Sequence, residues 1–456
     1  MILLQLAAAY LTLFTAGMGV TLLLLRSLSR LNLLECGCLA WLFGVGVVSL
    51  LLWIGGTLVS GVILQAIVTV ACLALGVTGW RAKQRAGVIF ELPRPSGITQ
   101  WLLTIFVLLE IATIFFVSAK HTLGWDGLLN WEIKARYAFV NGGVLPVEYY
   151  SSAGRSFSHP EYPLGIPLTE LWLYMWIGEA HQFWIKTIFP FFYAAGACLL
   201  ALIATRISGR CWVGLLIAAL FPFIPYFTSG PGGVIVGYVD FPVSIVYLTG
   251  LGYLLYSLNT RIEYPFYIYA SCLALLPWLK QEGAILWCVL VALGLVVSWQ
   301  QKKVRLFAVS ILPGLFVIIS WRLYLKLMDA VPPTDFSPLS VHALLNSAHR
   351  VGPICRTLFA EIESTNHWGS FWLLTGLALL YLLVLFRDTR SVVLAGAILV
   401  PVMVYSSTYL FSAWPSYTAH VTASMPRLLL HIVPTAWLAI GLALSFRRVE
   451  PEKQHT

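Results

Sequence analysis

Long apolar stretches alternate with short polar ones along almost the whole chain. Runs of about 20 apolar residues are long enough to cross the roughly 30 Å hydrocarbon layer of a membrane. The pattern predicts about thirteen such spans, and it leaves longer polar segments at 120–180 and 326–370. The predicted spans lie near 3–25, 35–54, 58–79, 100–119, 183–205, 211–228, 241–258, 264–279, 284–299, 306–325, 371–386, 392–411 and 427–446.

The composition indicates the same class of protein. Hydrophobic residues make up 59% of the chain and charged residues only 10%, whereas soluble domains carry about a quarter charged residues. The 18 tryptophans suit the aromatic belts found at membrane surfaces. We therefore predict an all-α polytopic membrane protein that forms a single integral membrane domain over 1–456.

The net charge of +9 is explained by topology rather than by nucleic acid binding. Basic residues concentrate in alternate loops, for example at 81–85, 302–305 and 447–448. Lys and Arg in such loops mark the cytoplasmic side. The two long polar segments then lie on the external face, which we expect to be the working face. No nucleic acid partner is predicted.

The 120–180 segment combines aromatic, proline and charged residues. Residues 128–140 show the apolar periodicity of a helix lying in the membrane interface, with Trp131 as a headgroup-level anchor. Asp126 directly precedes this helix in the sequence WDG, where it could cap the helix or serve as a catalytic carboxylate. In HPEYPLGIP, three prolines would hold His159 and Glu161 in a stiff turn, either for structure or for a site.

Further charged residues fall at the predicted external ends of spans. Charges at membrane depth are costly, so they usually pair or mark a functional site. Asp240 opens a span in YVDFP, and Lys280 and Glu282 occupy the sequence LKQEG, which could also be a simple turn. Arg427 begins the last predicted span, where snorkelling toward the headgroups is the alternative to a role in a site. His431, one turn further, could be packed or functional.

Several other sites are not indicated by the sequence. It has no Walker A motif, no glycine fingerprint after a strand and no HExxH pair. The eight cysteines include no CxxC pair, so structural packing is their default role. We predict no metal site and no required cofactor, and a divalent cation is left open. Residues 341–362 predict a second interfacial helix, within the 326–370 segment.

Four motifs resemble the GT-C glycosyltransferases, which are polytopic enzymes that use polyprenyl-phosphate-linked sugars. The nearest likeness is to bacterial relatives of the protein O-mannosyltransferases and the lipid A aminoarabinose transferases. The sequence departs from that pattern in having three predicted spans before the one that leads into the first external loop. The motifs are, in order, WDGLLNWEIKARYAFVNGG with HPEYPLGIP, then GYVDFP, then LKQEG and finally HVTASMPRLLLHIVP.

The resemblance implies a GT-C-type bundle with juxtamembrane helices at 128–140 and 168–176 on the external face. It implies Asp126 as the general base for the acceptor hydroxyl. Cations would hold the departing phosphate, and the implied substrate and lipid-phosphate ligands are Lys280, Arg427, Arg155, His159, Glu282 and Asp240. The expected partners are a polyprenyl-phosphate sugar donor, a glycan, lipid or protein acceptor, and membrane lipids. The expected location is the bacterial inner membrane with the active site facing the periplasm.

Two other functions fit the same pattern of spans. A ligase or polymerase of envelope polysaccharide also combines many spans with a large external loop, but it uses lipid-diphosphate-linked glycans. A transporter would instead place paired charges and discontinuous helices near the membrane midplane.

Overall fold

The structure is a computed structural model that describes residues 1–87, 89–260, 262–338 and 340–445. The basic residues expected at 447–448 lie outside this range. The described chain is nearly all helical. Its first eleven α-helices are α1 Ile2–Leu24, α2 Leu33–Gly56, α3 Gly61–Ala86, α4 Ile98–Lys120, α5 Ile133–Val140, α6 Val147–Ser151, α7 Gly165–Ile177, α8 Gln182–Ile185, α9 Ile188–Ser208, α10 Cys211–Leu220 and α11 Pro225–Ser229.

The second half of the chain continues in the same way. Its helices are α12 Asp240–Ser257, α13 Tyr264–Leu279, α14 Gln281–Gln300, α15 Val304–Leu327, α16 Val341–Asn346, α17 Val351–Ile362, α18 Thr365–Trp368, α19 Phe371–Tyr381, α20 Thr389–Thr408, α21 Tyr417–Leu430 and α22 Val433–Ser445. Short π-helical or 3-10 turns extend several of them. Two three-residue strands, β1 Arg30–Asn32 and β2 Ile89–Glu91, pair in parallel.

The helices confirm an integral membrane protein. Eight helices of the described chain are long and apolar enough to cross a membrane, or nine if the bent pair α21 and α22 forms one span. Every predicted span coincides with a helix. The expected number of about thirteen is not reached by this count, because α10, α13 and α19 are shorter apolar helices and α12 has only 18 residues and begins with an aspartate.

Small residues let the first three helices approach closely. A Cβ atom added at Gly17 in α1 would lie 1.8 Å from the carbonyl oxygen of Ala40 in α2. One added at Gly79 in α3 would lie 2.3 Å from the carbonyl oxygen of Gly19. Close backbone contact of this kind is how helices associate in lipid, where apolar surface alone does not drive them together.

The prediction that Trp131 is a headgroup-level anchor of the 128–140 helix is wrong. Gly127–Glu132 forms a π-helical turn that leads into α5. Trp131 is fully buried and does not serve as a headgroup anchor, whereas Trp125 is 71% exposed. The 168–176 stretch lies in α7, which is also mostly buried. Helix periodicity was correctly read from the sequence, but other parts of the chain cover both faces.

The 326–370 segment contains helices where they are expected. The predicted helix at 341–362 is divided into α16, a short 3-10 turn at Ala348–Arg350 and α17. α17 is strongly amphipathic and keeps Val351 and Phe359 exposed. An exposed apolar face beside membrane spans suits a position on the membrane surface.

Candidate functional site

Charged side chains from four distant segments meet at one end of the helical bundle. This end also carries residues 121–164, and we call it the loop face. Asp126 follows α4, Asp240 begins α12, and Lys280 links α13 to α14. The group, called the charge network below, consists of Asp126, Asp240, Lys280, Glu282, Arg427 and His431.

Asp240 is the centre of the charge network. Its Oδ1 accepts from Lys280 Nζ at 2.8 Å and lies 3.1 Å from His431 Nε2. Its Oδ2 accepts from Arg427 Nη2 at 3.1 Å. The carboxylate is fully buried, and buried charges are stable only when they are paired and hydrogen bonded. Tyr405 supports the imidazole through a 3.0 Å contact between its hydroxyl and His431 Nδ1.

Arg427 joins the two aspartates. Its Nη2 lies 2.6 Å from Asp126 Oδ2 and 3.1 Å from Asp240 Oδ2. The guanidinium also sits over the ring of Tyr238, 4.9 Å from the ring centre. Its Nε is buried without a hydrogen-bond partner in the protein. This donor is shielded from solvent, so Arg427 reaches the surface only through the rest of its side chain, which is 19% exposed.

Exposure divides the charge network into two layers. The side chains of Asp240 and Lys280 are 0% and 2% exposed, whereas those of Asp126 and Arg427 are 21% and 19% exposed. Asp126 and Arg427 are therefore partly accessible to solvent, whereas Asp240 and Lys280 are not. Asp240 and Lys280 form the buried layer, and Asp240 holds Arg427 in place by accepting a hydrogen bond from its Nη2.

Glycines bring the 229–239 loop against Asp126. Gly232 has a φ of +90°, which favours glycine. A Cβ atom there would also lie 3.3 Å from Asp240 Cβ and 3.4 Å from Arg427 Cγ. The amide of Gly124 donates to the Val236 carbonyl oxygen at 2.8 Å. The glycine-rich sequence thus allows the backbone contacts that place Asp126 beside Arg427.

These contacts decide several alternatives that the sequence leaves open. Asp126 makes no side-chain capping bond, and its carboxylate pairs with Arg427 instead. Arg427 is in the charge network rather than snorkelling toward the headgroups. Lys280 lies between Asp240 and Glu282, whose Oε1 is 3.0 Å from the ammonium, so LKQEG is more than a simple turn. His431 is fully buried and contacts Asp240.

His159 and Glu161 border the charge network without joining it. His159 adopts a left-handed conformation with a φ of 47°, and its Nδ1 lies 3.2 Å from Glu161 Oε1 and 3.8 Å from Asp335 Oδ2. Its ring stacks on Tyr162 at 4.8 Å. Burial raises the pKa of Tyr162, and the nearby Glu282 and Glu161 carboxylates add to this rise. Tyr162 therefore connects the proline-rich turn with the charge network.

Arg155 lies further away. Its guanidinium packs on the rings of Tyr137 and Tyr149 and donates to the Tyr137 hydroxyl. None of the contacts in the described part of the chain joins Arg155 to Arg427 or Lys280. The structure brings together five of the seven predicted site residues, with His159 at the border and Arg155 outside.

Two charged residues near Asp126 are buried, one in α5 and one in α7. Lys134 and Glu170 are both fully buried, and both carboxylate oxygens of Glu170 lack hydrogen-bond partners. Lys134 Nζ donates to Asn130 Oδ1 at 2.9 Å and lies over the ring of Trp131. Helical periodicity alone gives no signal that Lys134 is buried.

The described residues contain no group of three or more His, Cys, Asp or Glu side chains that could hold a metal ion. The described cysteines are all free thiols. The charge network alternates cations with carboxylates, so its negative charges are balanced by side chains of the protein.

Comparisons with protein families, curated proteins and solved structures find no match. The candidate site therefore rests on its geometry.

Lys134 gives the folded protein a distinct pH dependence. Burial lowers the pKa of Lys134 to about 7, although nearby Glu161, Asp126 and Glu170 oppose the shift. An unfolded lysine titrates near pH 10.4, so between these values the unfolded chain binds the additional proton. Stability should therefore rise with pH from about 7 to about 10, and Lys134→Met should flatten this rise.

Thermal unfolding of the purified protein between pH 7 and pH 10 measures the effect. Lys120→Met is the matched control, because Lys120 is exposed and should keep the wild-type slope. The assignment is wrong if wild type and Lys134→Met show parallel pH profiles.

Proposed function

We propose that this protein is a membrane glycosyltransferase. It transfers a sugar from a polyprenyl-phosphate donor to an envelope acceptor, which is a glycan, a lipid or a protein. The observation that carries the proposal is the contact between Asp126 and Arg427 above a buried Asp240–Lys280 pair. The four motifs that resemble GT-C enzymes supply these residues, although the motifs are separated from one another in the sequence.

Asp126 acts as the base in this proposal. Only its Oδ2 is in the ion pair with Arg427, which leaves Oδ1 for the acceptor hydroxyl. As Asp126 takes the hydroxyl proton, the acceptor oxygen bonds to the anomeric carbon of the sugar. The bond between that carbon and the phosphate oxygen breaks, its electron pair stays on the phosphate, and the polyprenyl phosphate leaves.

Arg427 stabilises the leaving phosphate. Its side chain is 19% exposed beside Asp126, so in this proposal the guanidinium meets phosphate oxygens at the same site where Asp126 meets the hydroxyl. Asp240, Lys280, Glu282 and His431 position Arg427, since the buried layer fixes the guanidinium before substrate arrives. His159 borders the site through Tyr162, where it can contact the sugar or the acceptor.

We further propose that the bundle lies in a bacterial inner membrane with the loop face toward the periplasm. The shorter apolar helices and α12 complete a bundle of about thirteen crossings, some of which are shorter than an ordinary span. This orientation puts basic loops such as 302–305 on the cytoplasmic side. The donor sugar then reaches the site on a membrane lipid rather than as a cytoplasmic nucleotide sugar.

Donor chemistry tests the proposal. The purified protein in lipid nanodiscs is incubated with envelope extract and with sugars on either polyprenyl monophosphate or polyprenyl diphosphate. We expect release of polyprenyl monophosphate from the first donor class, detected by mass spectrometry. Turnover of the diphosphate donor alone would instead indicate a polysaccharide ligase. Flux of intact substrate across proteoliposomes without a covalent product would indicate a transporter.

A further inference from the structure

A cavity opens on the loop face beside the charge network. It has a volume of about 370 Å³ and lies between the 161–163 turn, the start of α14 and residues 318–333. We call it the lateral pocket. Trp321 fixes one wall, because its Nε1 donates to the Glu161 carbonyl oxygen at 2.9 Å. Two lining residues connect the lateral pocket to the candidate site. Glu161 contacts His159 at the border of the charge network, and Gln281 lies between Lys280 and Glu282 in the sequence.

Two cations and two carboxylates line the lateral pocket. Arg322 and Lys326 are one turn apart on α15, and Asp329 follows the helix, while Glu161 lies opposite. Arg322, Lys326 and Asp329 are exposed and take part in none of the ion pairs of the described residues. These charges of both signs therefore remain available to a ligand.

The lateral pocket lies at the end of a helix that is suited to crossing a membrane. α15 is one of the eight helices suited to crossing a membrane, and Arg322 and Lys326 belong to its last two turns. Ile318 and Leu325 add apolar lining. The neighbouring Leu323 is 55% exposed and points an apolar side chain outward. Cations at the end of a span sit at headgroup level, with the hydrocarbon layer beneath them.

We propose that the lateral pocket binds a lipid with a phosphoethanolamine headgroup. The phosphate meets Arg322 and Lys326, the primary ammonium meets Asp329 and Glu161, and the acyl chains follow the apolar edge of α15. A headgroup with only negative charge would face the two carboxylates without a cation of its own. A choline headgroup carries no N–H to donate to them. This charge complementarity is independent of the proposed catalysis.

Lipid retention tests the proposal without an activity assay. The full-length protein is purified in detergent with equal amounts of phosphatidylethanolamine, phosphatidylcholine and phosphatidylglycerol, and bound lipid is measured by native mass spectrometry. We expect phosphatidylethanolamine to be retained at least about tenfold over the other two, since only its headgroup offers both a phosphate to the cations and N–H donors to the carboxylates. Arg322→Gln combined with Lys326→Gln should abolish the retention of phosphatidylethanolamine, because it removes both cations that meet the phosphate.

Two further variants keep the test decisive. Lys302→Gln combined with Arg305→Gln removes two exposed cations near the opposite end of α15 and should leave retention unchanged. Asp329→Asn keeps the side-chain shape and tolerates the left-handed backbone at φ 49°, and it should reduce the preference over phosphatidylcholine. Equal retention of phosphatidylglycerol or phosphatidylcholine by the wild type overturns the proposal. Unchanged retention of phosphatidylethanolamine by the variant with Arg322→Gln and Lys326→Gln also overturns the proposal.

Discussion

Replacing Asp126 by asparagine is expected to lower the rate of sugar transfer by at least about a hundredfold, the lower end of what a positioned base contributes. Asparagine keeps the shape of the side chain and can still accept from Arg427, but it cannot take the proton of an acceptor hydroxyl. Stability should change by less than about 1 kcal/mol, because the pair is partly exposed and Arg427 retains Asp240.

The initial rate of polyprenyl phosphate release measures this effect at saturating donor. Glu148→Gln is the matched control, since Glu148 is an exposed carboxylate of the same 120–180 segment and lies outside the charge network. That variant should keep the wild-type rate. Wild-type turnover by Asp126→Asn would exclude Asp126 as the base, even if the donor class proves correct.

The largest effect on stability is expected from Asp240→Ala, which should destabilise the fold by about 3–5 kcal/mol. Lys280 and His431 are both fully or almost fully buried, and Asp240 contacts both of them as well as Arg427. Removing the carboxylate leaves the Lys280 ammonium with only Glu282 to balance it. Burying an inadequately paired charge carries a large desolvation cost.

Unfolding in increasing denaturing detergent measures this loss, with Asp126→Asn as the comparison for a partly exposed member of the same network. A double variant separates charge from packing. Asp240→Asn combined with Lys280→Met removes both buried charges, so it should be more stable than Asp240→Ala alone. If Asp240→Ala stays within about 1 kcal/mol of the wild type, the buried layer does not hold the site together.

The positions of the helices could be predicted from local sequence. Apolar runs near 20 residues lead to helices at every expected place, because a backbone in lipid must satisfy its own hydrogen bonds. A local pattern could not predict whether a given face of a helix is exposed or is covered by other parts of the chain. Trp131 and Lys134 show the periodicity of a surface helix, yet α7 and the proline-rich turn cover them.

Only part of the candidate site could be predicted from the sequence. Asp126 and Arg427 are 301 positions apart in the sequence, and no rule of residue spacing predicts that they meet. Only the resemblance to GT-C enzymes, based on the order of the motifs, placed both residues in one site. Arg155 illustrates the limit, since its charge suits a phosphate but its guanidinium packs on two tyrosines. Tyr238 and Tyr162 were missed because an aromatic residue beside a span is ordinarily read as packing.

Asp240 also links the order of synthesis to the completion of the fold. Its three partners lie 40, 187 and 191 positions further along the chain. As the chain is synthesised, Lys280 follows Asp240 closely, whereas Arg427 and His431 follow only with α21 and the residue after it. A chain halted before α21 would therefore hold the Asp240 carboxylate with one of these three partners. The charge network can close only after α21 has joined the bundle, so the proposed site forms late in folding.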